Sequence, residues 1–211
     1  MATAMIDYAP ARRAEIPRVA ALFQDAFPDA LRAVFGRAPI PARAVEDVWD
    51  AVYRFEPGGF LVARSSDRVV GVEVAVSDLR QLHRHLLWRG SLFVWMFRWL
   101  TGRYAGLGWQ WVGRLACLIW DYRSLESPAP KDSFAQLLTI IVDKEYQCRG
   151  IGKTLTDQSL AYLKSRKVHT VRLEVDAAKI HAIRLYESAG FREIRRMPTP
   201  RGPAVVMKRE L

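Results

Sequence analysis

The sequence predicts an α/β fold: a mixed sheet flanked by helices, with a helical insertion between its third and fourth strands. Three observations predict it. Apolar residues recur at helical spacing in some stretches and form short β-branched runs in others. In the C-terminal half the two patterns alternate, which builds a sheet with helices on its faces. The 211 residues, half of them apolar, suit one domain spanning 1–211, and two full cores would be cramped.

The elements follow in order. A first strand is expected at Ile6 to Tyr8, then a helix from about Ala14 to Phe27, where Val19, Leu22, Phe23 and Phe27 recur on one side. A second helix, Arg43 to Phe55, carries Val45, Val48, Trp49 and Val52 on one face and stops before Pro57-Gly58-Gly59. Phe60 to Arg64 and Arg68 to Val76 read as hairpin strands joined by Ser65-Ser66-Asp67. Ser127-Pro128-Ala129-Pro130 is a break, after which Phe134 to Val142 is a strongly apolar strand. A helix from Gly152 to about Ser165 and a strand at Thr170 to Val175 come next. A helix from Ile180 to Ala189, closed by Gly190, and a last strand at Ala204 to Lys208 complete the pattern.

Thirty-two Lys plus Arg against 22 Asp plus Glu give a formal charge of +10. Nucleic acid, an anionic membrane and an anionic cofactor are the partners that such a charge brings into question. The two cysteines, Cys117 and Cys148, exclude a disulfide framework, and no Cys/His cluster has metal-ligand spacing. Met1 to Ala20 holds no apolar core of signal-peptide length. Leu86 to Leu100 is interrupted by Arg89 and Arg98, too short and too charged to span a bilayer. A cytoplasmic setting is expected.

The charge is unevenly placed. From Leu79 to Trp120 there is no Asp or Glu, yet there are six arginines and six of the seven tryptophans. This marks 79–126 as a basic, Trp-rich insertion. Leu79 to Leu100 fits one helix, with Leu79, Leu82, Leu86, Phe93, Phe97 and Leu100 on one face and Arg80, Arg84, Ser91 and Arg98 on the opposite one. Trp88, Trp95 and Trp99 form a third stripe. Three readings stand. The helix packs over the domain or across a homodimer interface, or it lies on an anionic membrane through 79–100 and places the protein peripherally at the inner face. The third, nucleic-acid binding by stacking, is disfavoured because the stripe is mostly aliphatic and lacks lysine, so no nucleic-acid partner is expected.

The chemistry is concentrated in one turn. A strand leads through a short loop into Gln147-Cys148-Arg149-Gly150-Ile151-Gly152-Lys153-Thr154, which opens a helix. The first amides of a helix have no intrahelical acceptor and sit at its positive end. Gly150 and Gly152 let the backbone approach a phosphate, and Arg149 and Lys153 add charge. Neither G-x-x-x-x-G-K-[ST] nor G-x-G-x-x-G is present, so a P-loop NTPase and a Rossmann dinucleotide site are unsupported. Downstream lie Leu173-Glu174-Val175 and then Ala182-Ile183-Arg184-Leu185-Tyr186-Glu187-Ser188-Ala189-Gly190-Phe191.

This pairing of motifs resembles the GNAT superfamily of N-acetyltransferases, and the resemblance covers Phe134 to Phe191. It implies an acyl-CoA N-acyltransferase with that family's central sheet. An acetyl group would pass from acetyl-CoA, or another acyl from its acyl-CoA, to a primary amine by direct attack in a ternary complex, with no metal. The acceptor would be a small-molecule or peptide amine. The cosubstrate would be held by Ile140, Ile141 and Val142 along the pantetheine and by Gln147, Cys148, Arg149, Gly150, Ile151, Gly152 and Lys153 around the pyrophosphate. A strand amide would stabilise the developing oxyanion, and Tyr186 matches the family tyrosine that protonates the departing thiolate. Cys148 has no base beside it in the sequence and is read as incidental. Two positions depart from the family pattern. Lys179 stands where many members have Asn, and its reach is expected to be to a phosphate. Gln136 stands where some members have a catalytic Glu, and it cannot act as a base. Glu73, Asp121 and Glu126 are then the candidate bases, and His181 is the histidine to test. The alternative is a non-catalytic CoA-binding module recruited to a membrane.

Overall fold

The computed structural model describes residues 5–35, 40–88, 91–104, 134–199 and 202–211. Its seven strands are β1 (Ile6–Pro10), β2 (Phe60–Ser65), β3 (Arg68–Val76), β4 (Ala135–Val142), β5 (Thr170–Asp176), β6 (Arg192–Thr199) and β7 (Gly202–Glu210). They form one mixed sheet in the order β1-β2-β3-β4-β5-β7-β6, antiparallel except where β4 meets β5. The helices are α1 (Ile16–Ala26), α2 (Pro28–Phe35), α3 (Ala42–Phe55), α4 (Leu79–Trp88), α5 (Ser91–Leu100), α6 (Ile151–Ser165) and α7 (Ile180–Ser188). The fold class is therefore the one the sequence predicts.

Alternation along the strands decides which helix covers which face. Val72, Val74 and Val76 of β3 and Ile141 of β4 join Val19, Leu22, Val45, Trp49 and Val52 in the core beneath α1 and α3. The other face lies under α6 and α7: Ala75, Leu137 and Leu173 pack with Leu160, Leu163 and Tyr186, and Val70, the extra residue where the β2–β3 register shifts, packs with Ile151 and Leu155. The β2–β3 hairpin closes through Ser66 and Asp67, both left-handed (φ 48° and 64°), the conformation that matches the twist of a two-residue turn. A Cβ on Gly59 would lie 2.0 Å from the Ala75 carbonyl oxygen, so only glycine lets the Pro57–Gly59 turn close on β3. Beside it the buried Glu56 carboxylate accepts hydrogen bonds from the Ser77 amide (2.8 Å) and the Tyr162 hydroxyl (2.9 Å).

Three elements differ from the sequence reading. Helix α2 was not foreseen: Pro28 disfavours helical geometry at Phe27 yet is well suited to begin a new helix, so the chain ends one helix and starts the next. Strand β6 is an edge strand with five of its eight residues in an exposed run, and its arginines and Pro198 show no apolar alternation to read. The single helix expected over Leu79 to Leu100 is two helices, α4 and α5. The sequence places Gly90 between them, and glycine is a poor helix former. The expected apolar stripe is thereby cut. Leu79 and Leu82 are buried on the α3 side, whereas Phe97 and Leu100 are 67% and 69% exposed. The arginine face is cut as well: Arg98 is ion-paired with Asp47 of α3. Among the described residues no helix is long and apolar enough to cross a membrane.

Candidate active site

The anion turn is built from the end of β4 outward. The Asp143 amide donates to the Val70 carbonyl (2.7 Å), and Arg18 of α1 donates to the Asp143 carboxylate (2.9 Å) and the Val69 carbonyl (3.2 Å). One 3-10 turn, Lys144–Tyr146, follows, and the Gln147 side-chain amide reaches back to the Val142 carbonyl (3.0 Å). Cys148 (φ 59°) and Gly150 (φ 78°) are both left-handed, which curls the backbone into the start of α6. The Thr154 amide makes the first bond of that helix, to Gly150, so the amides of 151–153 lie ahead of it. Ile151 is buried and anchors the turn, while a Cβ on Gly152 would meet Leu185 at 3.4 Å and Ile140 at 3.5 Å. Cys148, Arg149 and Lys153 are exposed; Arg149 lies over the Tyr146 ring and Lys153 pairs with Asp157. The motif residues from Gln147 to Lys153 thus share one concave turn at a helix N-terminus.

A gap in the sheet lies beside that turn. Strands β4 and β5 pair over only three rungs, Ala135–Val171, Gln136–Arg172 and Leu137–Leu173. At Leu138 the register against β3 shifts by a bulge, and from there to Val142 strand β4 has no partner on its β5 side among the described residues. Bulges redirect a strand and end pairing. The backbone edge of Ile140, Ile141 and Val142 that faces β5 is therefore unpaired among the described residues. Tyr186 is 5% exposed and packs in the cluster that holds both Leu137 and Leu173, the last rung before the split. Its ring meets Phe191 edge-on at 5.7 Å. Burial first, and the neighbouring Glu73 second, hold its hydroxyl protonated well beyond the ordinary tyrosine range.

The two faces of the gap differ. On the α6 side Glu73 is fully buried, opposite Ile140, and accepts a hydrogen bond from Thr156 (3.3 Å). Burial raises its carboxyl to about 8, and the hydroxyls of Thr156 and Ser159 pull it back only in part. Glu73, a candidate base in the sequence, is thus sealed from solvent on the α6 side and lies close enough to Tyr186 to act on its hydroxyl. Glu126 and Asp121 lie outside the described residues. On the α1 side the first residue of β5 past the split is Glu174, exposed, on the face that also carries Thr139, whose buried hydroxyl has no hydrogen-bond partner among the described residues. Lys179, expected to reach a phosphate, has its Nζ 4.0 Å from the centre of the Phe27 ring at the end of α1. His181 is exposed on α7. Glu174 sits in Leu173-Glu174-Val175, which reads as an ordinary alternating strand, three residues ahead of the loop to the tyrosine helix.

A family profile, acetyltransferase (GNAT) family, matches residues 16–191. The chain belongs to the GNAT family. A GNAT relative, the ribosomal protein bS18-alanine N-acetyltransferase of Salmonella typhimurium, is 44% identical over 79 residues, 35% of this chain and 53% of that protein. The chain thus spans about half the length of that curated relative. The mycothiol acetyltransferase of Acidothermus cellulolyticus is 53% identical over 51 residues, 24% of this chain and 16% of that one. A Salmonella typhimurium protein solved with its cofactor acetyl-CoA superposes with a TM-score of 0.57 at 13% identity, covering 98% of this chain and 94% of that one. At that identity the likeness shows the GNAT fold.

Proposed function

We propose that this GNAT protein transfers an acetyl group from acetyl-CoA to a primary amine, with a peptide amino terminus as the favoured acceptor class. The observation that carries the reading is the juxtaposition of the Gln147–Lys153 anion turn with the unpaired edge of β4. The site fits acetyl-CoA on its own geometry: an open left-handed turn suits the pyrophosphate, and a strand edge suits an amide-bearing pantetheine arm. When bound, the thioester supplies an activated acyl group. This chain's residues do the rest. Gln147–Lys153 hold the pyrophosphate, and the edge of Ile140, Ile141 and Val142 orients the arm, so catalysis rests largely on positioning. An amide of that edge faces the negative charge that builds on the carbonyl oxygen. Glu174 accepts the proton that the attacking amine sheds, and Tyr186 donates a proton to the departing sulfur. The peptide acceptor is supported by the similarity to an alanine N-acetyltransferase of a ribosomal protein.

Thiol release from acetyl-CoA, measured against a panel of peptides and small amines, tests the activity. Turnover of at least one peptide amine is expected; CoA binding without turnover of any amine would leave a binding module instead. Tyr186→Phe keeps the ring against Phe191 and removes only the hydroxyl. Because a thiolate is a tolerable leaving group, kcat should fall by only about 10-fold, less than the roughly 10²–10⁴-fold usual for acid–base catalysis, with KM little changed. Gly150→Val forces a β-branched residue into a left-handed conformation (φ 78°). It should raise KM for acetyl-CoA by about 10-fold or more, read from initial rates at saturating amine.

A further inference from the structure

We infer that α5 is a docking surface for anionic phospholipid. Val94, Met96, Phe97 and Leu100 of this helix are each exposed, Phe97 and Leu100 by two thirds. The other side of the helix is fastened to the body. Arg98 is ion-paired with Asp47 of α3, and the buried Tyr104 donates its hydroxyl to the same carboxylate. An ordinary surface helix buries its apolar stripe and turns its charges to water. Here the polarity is reversed: the charge is turned inward and neutralised, and the apolar side is held outward by a rigid anchor.

The chemistry around this face selects the occupant. From Leu79 to Trp120 the sequence has no acidic residue, and Arg84 and Arg103, which flank α5 on either side along the chain, are exposed. Exposed cations on the segments that bracket protruding Phe and Leu match an anionic headgroup layer, with arginine at the phosphates and the apolar tips at the acyl boundary. Trp95 and Trp99 are half-buried, on the side of the helix away from Phe97 and Leu100. A second copy fits less well. A ten-residue helix is roughly 15 Å long, and four side chains fall far short of the ~800 Å² per partner that a stable interface buries. The placement needs no part of the acetyl-transfer site and stands independently of it.

Sedimentation of the full chain with phosphatidylglycerol-containing vesicles, compared with pure phosphatidylcholine, tests the inference. Binding to the anionic vesicles is expected to be at least ~10-fold stronger. Phe97→Glu with Leu100→Glu should lower it by about 10-fold or more, and Arg84→Glu with Arg103→Glu should abolish the preference for anionic lipid. All four positions are exposed, so circular dichroism and melting temperature should match the unsubstituted protein. No binding to anionic vesicles, or binding unmoved by Phe97→Glu with Leu100→Glu, overturns the inference. So does a dimer, seen by light scattering, that the same pair dissolves, because it assigns the face to a second copy.

Discussion

Glu174→Gln is expected to lower kcat/KM for acetyl transfer to a peptide amine by about 100-fold at pH 7, while leaving the affinity for acetyl-CoA nearly unchanged. A positioned general base contributes roughly 10²–10⁴-fold. The amide of Gln has the size of the carboxylate but cannot take the proton. Glu174 is the first residue of β5 beyond the Leu137–Leu173 rung, so it stands where the gap opens, on the face away from α6. The defect should shrink as pH rises. An α-amine loses its proton on its own near pH ~8, and the base then has less to do. Rate profiles between pH 6.5 and 9 check both parts. A variant as active as the original at pH 7 would remove Glu174 from the reaction.

Glu73→Gln is expected to flatten the pH dependence of stability. In the folded protein burial raises the Glu73 carboxyl to about 8, whereas unfolded it titrates near 4.5. Between those values the folded state holds a proton that the unfolded chain has released. The stability that this proton contributes is fully present below pH 4.5, declines as pH rises, and is gone above about 8. At about 1.4 kcal/mol per unit, the full effect is on the order of 5 kcal/mol, a large fraction of what holds a domain together. Gln cannot ionise, so Glu73→Gln should melt later than the original protein at pH 8 and show little trend from pH 5 to 8. Urea unfolding at several pH values reads this directly. Equal pH trends in the two proteins would show that Glu73 is ionised in the fold.

Both predictions rest on residues whose identity was plain in the sequence and whose surroundings were not. The apolar alternation of Val70, Val72, Val74 and Val76 announced β3, but it did not say that Glu73 on the intervening face would be covered by a helix eighty residues later. The anion turn was legible because its demands are local: glycines, a preceding strand and a following helix all lie within a dozen residues. The gap was not. It depends on where a parallel pair stops and on a bulge at Leu138, both set by contacts between segments far apart in sequence. Strand β6 escaped notice for the opposite reason: an edge strand is specified by its neighbour β7, which supplies the hydrogen bonds, and its own polar residues carry no pattern. The Leu79 to Leu100 stripe was real as a periodicity, but a periodicity assumes one axis, and α4 and α5 are two helices.

The three-rung contact between β4 and β5 joins a four-stranded antiparallel ribbon to a three-stranded one. Helix α6 crosses that joint as a girder. Its first turns, through Ile151 and Leu155, bear on β2 and β3; its later turns, through Leu160 and Leu163, bear on β4, β5 and β7. The angle between the ribbons and the pose of the anion turn are thus set by one rigid rod. Repacking at Leu163, some twelve residues from the turn, reaches the cosubstrate end of the molecule through leverage rather than through contact.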